Sequence, residues 1–500
     1  MVYATRWSLH GITGYEQLLS TRVVIGVAVC AIIGHTIWSV IYNACFHPLR
    51  KVPGPFWWSI SPLPLLWMSW SNTPHKQILA LHQKYGDVVR TSPDSVSCLH
   101  ATAWREVYGH RRPGQPENLK HLGFVAEVAA GIIGADTASH TRQRHLLAPA
   151  FSAQGVRRQE PLIRHHVDLL FRRLEEHRVQ GKSIDLGKWF NFFSFDVIGD
   201  LSFGESFGNL DRGEFHPWIA TILEFFVAQH DMAHFRRAYP WLEAVVGPVV
   251  KVLAAGIIAK HNLFMRTQIE KRLALEPSRP DFIDGMKPDH AQGKEGLSFE
   301  AICHNASIFV VAGSETTAIA SDAQKLTLDS FSRQTRWGNV LTLHPPRDPG
   351  QAAVIDETLR IYPAAVGSVP RLIQRHGEVV GGHFLPGGTS VDIWHWAMYH
   401  NPANFTDPEV FAPERWLGDP RFEGDKKAAF QPFSTGKRSC IGQNLAHSEI
   451  KQIMARLLWK YDVTLVDREW YEKPWHDQAV RASYVHPPLN VRLSLRQEKL

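Results

Sequence analysis

The 500-residue sequence predicts a mainly α-helical protein with a small β region, preceded by a single N-terminal transmembrane helix. Apolar residues recur at intervals of three and four over several long stretches, which is the period of amphipathic helices. Alternating, glycine-punctuated segments typical of strands occur in two places. An uncharged apolar stretch near the N-terminus is long enough to cross a bilayer.

Composition excludes several classes of protein. The net charge of +6 is spread over a long chain, unlike the dense basic surface of a nucleic-acid-binding protein, so we expect no nucleic-acid partner. A hydrophobic content of 44% with 20% charged residues excludes a largely disordered chain. Five cysteines, an odd number, favour a reducing compartment over a disulfide scaffold.

The apolar stretch predicts a membrane anchor. Val23 to Leu49 contains no charged residue, and its first 20 residues form a helix roughly 30 Å long, the thickness of the hydrocarbon core. A cleaved signal peptide would have a shorter apolar core, and a buried soluble helix is the remaining alternative. Arg50 and Lys51 follow the span and Arg22 precedes it, which favours a cytoplasmic C-terminal part.

The region after the anchor begins with a stiff elbow, Pro53-Gly54-Pro55, in which the prolines fix φ. An aromatic group follows, suited either to the headgroup level of a membrane or to a protein core: Phe56, Trp57, Trp58, Trp67 and Trp70. The predicted organisation is a short N-terminal segment (1–22), a transmembrane anchor (23–42), the elbow region (43–55) and one large domain (56–500).

Helical periodicity is clearest in five stretches of the large domain: Pro74–Tyr85, His140–Ala150, Gln159–Val179, Phe215–His230 and Asn444–Tyr461. Strands are predicted within Asp87–Leu99 and Arg371–Ile393, where paired glycines and Pro-Gly mark the turns.

One cysteine lies in a pattern that indicates chemistry. Cys440 immediately precedes a predicted helix, whose N-terminal dipole is expected to lower the pKa of the thiol. Gly436 and Gly442 allow the backbone to approach a flat ligand, Phe433 can shield the sulfur, and Arg438 carries a charge suited to a carboxylate. A lone cysteine is more often a small buried apolar residue, but this spacing favours a ligand.

The pattern Phe433-x-x-Gly436-x-Arg438-x-Cys440-x-Gly442 resembles the haem-binding loop of the cytochrome P-450 family, the haem-thiolate monooxygenases. The resemblance implies the family's fold and a haem b whose iron is bound by the Cys440 thiolate, which donates electron density that favours O–O cleavage. It also implies electrons from NADPH through a separate NADPH–cytochrome P-450 reductase, with cytochrome b5 as a second partner.

A second motif, Ala312-Gly313-Ser-Glu315-Thr316-Thr317, lies in an apolar helix. A glycine inside a helix costs about 1 kcal/mol relative to alanine, so Gly313 needs a reason such as the approach of a bulky group. The resemblance implies that Ala312 and Gly313 lie beside the haem and that Glu315 and Thr316 help to deliver protons. Ordinary helix packing with a back-bonded threonine is the alternative.

The resemblance assigns six further residues. Glu357 and Arg360 would lock with Arg415 to hold the core, and are interpreted as structural. His140 and Arg144, at i and i+4 on one helix face, and Arg371 would bind the haem propionates.

One segment does not fit the resemblance. Residues 317–351 lack helical periodicity from Ser321 onward, and the segment is short by roughly ten residues, or three helical turns. A gene-model error or a damaged core would produce this sequence.

The resulting hypothesis is a monomeric monooxygenase of the endoplasmic reticulum membrane, single-pass, with its catalytic domain in the cytoplasm. It would insert one oxygen atom of O2 into a hydrophobic small molecule of fungal secondary metabolism: a terpenoid, a polyketide or an indole alkaloid. The alternatives are a haem-thiolate enzyme of ring closure or rearrangement, and an inactive anchored haem-binding protein.

Overall fold

The computed structural model describes residues 10–125, 128–275, 280–288, 295–332, 349–367, 369–466, 478–485 and 488–496. Helices predominate and the strands form small sheets, which confirms the predicted fold class. The helices are α1 His10–Ile41, α2 Phe56–Ile60, α3 Leu63–Ser69, α4 Pro74–Tyr85, α5 Leu122–Val125, α6 Thr137–Phe151, α7 Ala153–Val179, α8 Leu186–Phe203, α9 Asn209–Arg212, α10 Pro217–Ala238, α11 Pro240–Ala274, α12 Phe282–Met286, α13 Phe299–Ser332, α14 Pro349–Ile361, α15 His395–Tyr399 and α16 Gln443–Lys460.

The strands are β1 Val88–Ser92, β2 Ser95–Cys98, β3 Leu119–Lys120, β4 Ile184–Asp185, β5 Arg371–Leu372, β6 Glu378–Val380, β7 His383–Leu385, β8 Ser390–Asp392, β9 Tyr461–Leu465, β10 Val480–Arg481, β11 Ser483–Tyr484 and β12 Asn490–Leu495. The largest sheet has the order β1-β2-β8-β5-β3, and a smaller one has the order β4-β12-β9. Two hairpins, β6–β7 and β10–β11, complete the β structure of the described residues.

The anchor helix α1 is followed directly by a turn that contacts the rest of the protein. Residues Val23–Phe46 are apolar and none of the span is buried against protein. Asn43, in a π-helical turn after α1, donates to the Ile60 carbonyl at 3.4 Å and accepts from Arg90 at 3.0 Å. A Cβ on Gly54 would lie 2.5 Å from the Arg90 carbonyl, so only glycine lets the elbow approach β1 this closely.

The helical core is built around α8. Most of this helix is apolar and buried, and Phe190, Phe192 and Phe193 are fully buried. It packs along α13, and α13 in turn packs on α16. A second core lies under the large sheet, where Trp104 and Tyr399 are buried. The cysteine loop joins the helical core just before α16.

The five predicted helices are present as α4, α6, α7, α10 and α16, and both predicted strand regions are present. The interpretation of residues from Ser321 onward as non-helical is wrong as far as Ser332, because α13 continues to that residue. Residues 321–332 contain neither glycine nor proline, and extending an existing helix costs little. The rest of the atypical segment, 333–348, lies outside the described residues.

Candidate active site

The cysteine loop is held by its own backbone. The Cys440 N–H donates to the Phe433 carbonyl at 2.8 Å, and positive φ angles at Ser434 and Gly436 reverse the chain between them. A Cβ on Gly436 would lie 2.0 Å from the Tyr108 carbonyl oxygen. The close approach of the Tyr108 carbonyl therefore requires glycine at this position.

The surroundings of Cys440 set the pKa of its thiol. Its side chain is exposed, yet the surrounding protein desolvates the thiol and thereby raises its pKa. The backbone N–H groups of Gly442 and Gln443 and the charge of Arg144 act in the opposite direction but do not outweigh burial. The helix terminus therefore lowers the pKa of the thiol as expected, but burial outweighs it, so the net shift in the protein alone is upward. Metal coordination would change this, since a coordinating thiol is deprotonated outright.

The neighbours of Cys440 in the motif have distinct surroundings. The Phe433 ring lies 5.1 Å from the His447 ring and packs against the helical core. A Cβ on Gly442 would meet the Cys440 sulfur at an ordinary 3.9 Å, so lack of space does not explain this glycine. Arg144 donates to the Ser439 carbonyl at 2.5 Å and so contacts the cysteine loop directly.

Beside this loop, four basic residues form a buried group that we call the cationic cluster: Lys120, His140, Arg371 and Arg438. Lys120 and Arg371 are directly opposite each other in the β3–β5 pair. Like charges in that position destabilise a sheet. Burial, with the charges of Arg371 and Arg438, lowers the pKa of Lys120 to about 7. Burial, again with Arg438, lowers the pKa of His140 to about 4, so this imidazole is neutral at pH 7.

One carboxylate faces the cationic cluster. Glu117 pairs with Arg438, with 3.0 Å between Oε1 and Nη2. The Nε atom of Arg371 is buried and has no hydrogen-bond partner among the described residues. Among the described residues, Arg371, Arg438 and the protonated form of Lys120 face one carboxylate, so up to two positive charges lack a counter-ion, and an anion bound there would favour protonation of Lys120. The cluster therefore fits a ligand with two carboxylates, and haem b, with two propionates, is such a ligand.

Sequence reasoning missed Lys120 and Glu117. Lys120 belongs to a two-residue strand, which is too short to show a pattern. Glu117 meets Arg438 across 321 positions, a contact that no local signal reveals. A lysine inside a predicted sheet could have been noticed as a charge in need of a partner.

The second motif lies on α13, where one of its residues is exposed. Ala312 is exposed and Thr316 is half-buried, although the helix otherwise packs into the core. The Thr316 hydroxyl donates to the Ala312 carbonyl at 2.6 Å, the back-bonded arrangement of the alternative interpretation. Burial raises the pKa of Glu315. A Cβ on Gly313 would lie 2.6 Å from Ile198, so packing on α8 explains this glycine.

The three residues interpreted as structural do meet. Arg360 donates to Glu357 at 2.8 Å and Arg415 lies 3.3 Å from the same carboxylate, with none of the three side chains exposed. Trp416 adds a hydrogen bond of 2.9 Å to Glu357. Asp425, which the sequence analysis did not single out, is the second partner of Arg415.

Comparison with known proteins supports a single family. The family model described as Cytochrome P-450 matches residues 52–323 and 351–491. A trichothecene C-15 hydroxylase from Fusarium sporotrichioides is 40% identical over 470 residues, covering 91% of this chain and 94% of the relative.

Two further fungal relatives are 36% identical to the chain. The versicolorin B desaturase stcL from Emericella nidulans aligns over 452 residues, and the monooxygenase astJ from Aspergillus oryzae aligns over 454 residues. Each alignment covers 86% of this chain and 90% of the relative.

Proposed function

Because the chain belongs to the cytochrome P-450 family of monooxygenases, with fungal relatives in secondary metabolism, we propose that it hydroxylates a hydrophobic small molecule of such a pathway. The observation that carries the proposal is the exposed Cys440 thiol beside a cationic cluster in which up to two positive charges lack a counter-ion in the described part of the chain. One oxygen atom of O2 would enter a C–H bond of the substrate.

The residues on the proximal side would hold haem b. Cys440 would bind its iron. The propionates would be bound by Lys120, His140, Arg371 and Arg438, and by Arg144, which also donates to the Ser439 carbonyl. When bound, haem supplies the redox chemistry that activates dioxygen. Electrons would come from NADPH through a separate reductase, with cytochrome b5 as a second donor.

On the distal side, α13 would provide the substrate-facing wall and a proton path. Ala312, the exposed residue of the motif, would lie against the substrate. The Thr316 hydroxyl now donates to the Ala312 carbonyl. To deliver the proton on Oγ, it would break that hydrogen bond and donate toward the reacting group instead. Glu315, whose pKa burial raises, would replenish that proton from its carboxyl group.

The name of one relative indicates which substrate class to test first. A relative named for the C-15 hydroxylation of a trichothecene makes a terpenoid of that kind the first substrate to test, before polyketides and indole alkaloids. Microsomes containing the chain and a reductase would be given NADPH, ¹⁸O2 and the candidate substrate. Mass spectrometry should find a product carrying one ¹⁸O atom. A chain that binds haem yet consumes no NADPH with any of the three classes would contradict the proposal.

A second function is favoured by the relative named as a desaturase. Desaturation, ring closure or rearrangement would give a product without ¹⁸O, so the same experiment separates these reactions from hydroxylation.

An inactive haem-binding protein is favoured by the atypical segment, because the family match omits residues 324–350. We infer a gene-model error or a damaged core there, and sequencing of the transcript distinguishes the two.

For localisation, we propose a single-pass anchor in the endoplasmic reticulum membrane, with residues 56–500 forming one cytoplasmic catalytic domain. The apolar span Val23–Phe46 supports the anchor. The domain's own apolar surface supports close contact with the same membrane: Trp57 and Trp67 are 70% and 77% exposed, and they flank the turn at Ser61. Ser61 is hydrogen-bonded to Tyr239, the residue before α11. The carbonyl of the adjacent Ile60 accepts a hydrogen bond from Asn43, which follows the anchor helix.

A further inference from the structure

Glu117 is held against the cationic cluster by several hydrogen bonds. Both of its carboxylate oxygens lie 3.2 Å from Arg438 Nε, and Oε1 also accepts from Arg438 Nη2 at 3.0 Å. The Thr137 hydroxyl donates to the same oxygen at 2.7 Å. Burial opposes ionisation of this carboxyl, but the hydrogen bonds from Arg438 and Thr137 lower its pKa overall. Glu117 is therefore ionised and fixed in position.

Its partner is equally fixed. The Arg438 side chain is only 3% exposed, and its Nη1 donates to the Ala135 carbonyl at 2.8 Å. With Nε and Nη2 occupied by Glu117, the orientation of the guanidinium is set by protein groups. A bidentate arginine–carboxylate pair of this kind fixes direction as well as charge.

We propose that Glu117 is a positioning residue of the haem site, which holds Arg438 in place and provides the third negative charge beside the two propionates. The inference rests on the proposed function, since it takes haem b as the ligand. The positive charges of Lys120, Arg371 and Arg438 would then be matched one for one. The neutral His140 adds no charge to this balance.

The charge balance has a measurable consequence. A fixed negative charge near the haem disfavours the reduced iron, which carries one positive charge less than the oxidised iron. Replacing Glu117 by the uncharged glutamine would leave one cation in excess and make reduction easier. The midpoint potential would move in the positive direction, an effect that a purely structural role would not produce.

The test is a redox titration of the full-length, haem-loaded chain in one detergent, comparing the wild type with Glu117→Gln. We expect a more positive midpoint potential in the variant and haem transfer to apomyoglobin that is no faster than in the wild type. Glu117→Asp keeps the charge and should retain the wild-type potential. Glu378→Gln is the matched control, because Glu378 is similarly buried but pairs with Arg111 at 3.0 Å and, within the described ranges, is linked to the cationic cluster only through Asn118.

A double variant keeps the inference testable if Glu117→Gln does not fold. Arg438→Gln alone should shift the potential negatively, and Glu117→Gln with Arg438→Gln should return it toward the wild-type value. An unchanged potential in Glu117→Gln, or an equal shift in Glu378→Gln, would overturn the inference while leaving the proposed function intact. A wild-type chain that binds no haem would overturn both.

Discussion

Glu357 and Arg415, 58 positions apart, form an ion pair in which neither side chain is exposed to solvent. The pair joins α14 to the loop that precedes the cysteine segment. Arg360 binds the same carboxylate and also donates to the Pro408 and Val410 carbonyls of that loop. A single carboxylate thereby fixes the position of the chain leading to Cys440.

Breaking this network should be costly. We expect Arg415→Leu to lose about 3 to 5 kcal/mol of stability, because it leaves the buried charge of Asp425 without its ion-pair partner and removes one of the two arginines that pair with Glu357. Thermal unfolding of the full-length chain measures the loss. Arg421→Leu is the control, since Arg421 pairs with Asp419 at 2.8 Å but is 65% exposed, and its loss should have little effect on stability. Equal effects of the two changes would contradict the assignment.

The neighbouring Asp356 predicts a pH dependence of stability. Burial raises its pKa to about 6, Lys451 opposing the rise and Glu357 adding to it. Because the pKa in the folded state exceeds the ordinary value of 3.8, the stabilising contribution of the bound proton is complete below pH 3.8 and is lost as the pH rises through 6.

We therefore expect Asp356→Asn to be more stable than the wild type by up to about 3 kcal/mol at pH 7.5, and the difference to disappear near pH 4. Unfolding midpoints at the two pH values measure this. Asp211→Asn, at a side chain that is 64% exposed, is the control and should show little difference at either pH. A constant difference between wild type and Asp356→Asn at both pH values would contradict the assigned cause.

The Thr316 hydroxyl should matter for the use of electrons and not for folding. We expect Thr316→Val to keep haem and substrate binding but to lower the fraction of NADPH electrons recovered in product by about tenfold or more. Product, NADPH and hydrogen peroxide are measured together. Ser314→Ala is the matched control, because Ser314 also donates to the carbonyl four residues earlier, at 2.5 Å, but is fully buried. A Thr316→Val variant with normal coupling would remove Thr316 from the proton path.

The exposed face of α11 should contact lipid. Between Ala244 and Ala259 this helix carries a single charged residue, Lys251, and Val252 and Leu253 are 75% and 79% exposed. In phosphatidylcholine vesicles with a photoreactive acyl chain, we expect adducts on this stretch as well as on the anchor.

The contact can be tested by substitution in the full-length chain. Val252→Gln with Leu253→Gln should reduce the adducts on α11, whereas Leu495→Gln, at an exposed residue of β12, should not. Adducts confined to the anchor would contradict the contact.

Local sequence patterns predicted much of the fold. The helix α4 was predicted with its observed bounds, because Pro74 can begin a helix and Gly86 ends it with a positive φ. The strand regions could be predicted for a similar reason, because paired glycines and Pro-Gly favour turns through local backbone geometry alone.

Contacts between distant segments could not be predicted. Gly436 and Gly313 were recognised as unusual, but their reasons, the Tyr108 carbonyl and Ile198, lie more than one hundred positions away in the sequence. The Glu117–Arg438 pair and the opposition of Lys120 to Arg371 depend on how β3 pairs with β5. The dipole argument for Cys440 was incomplete, because the desolvation that opposes it comes from the surrounding fold.

The central claim is that Cys440 is the ligand of the haem iron, and the absorption spectrum of the reduced carbon-monoxide complex tests it most directly. The full-length wild type should show the red-shifted Soret band of thiolate-ligated haem, and Cys440→Ser should lack it. Cys303→Ser, at a half-buried cysteine of α13, should retain the band. A red-shifted band that persists in Cys440→Ser would contradict the claim.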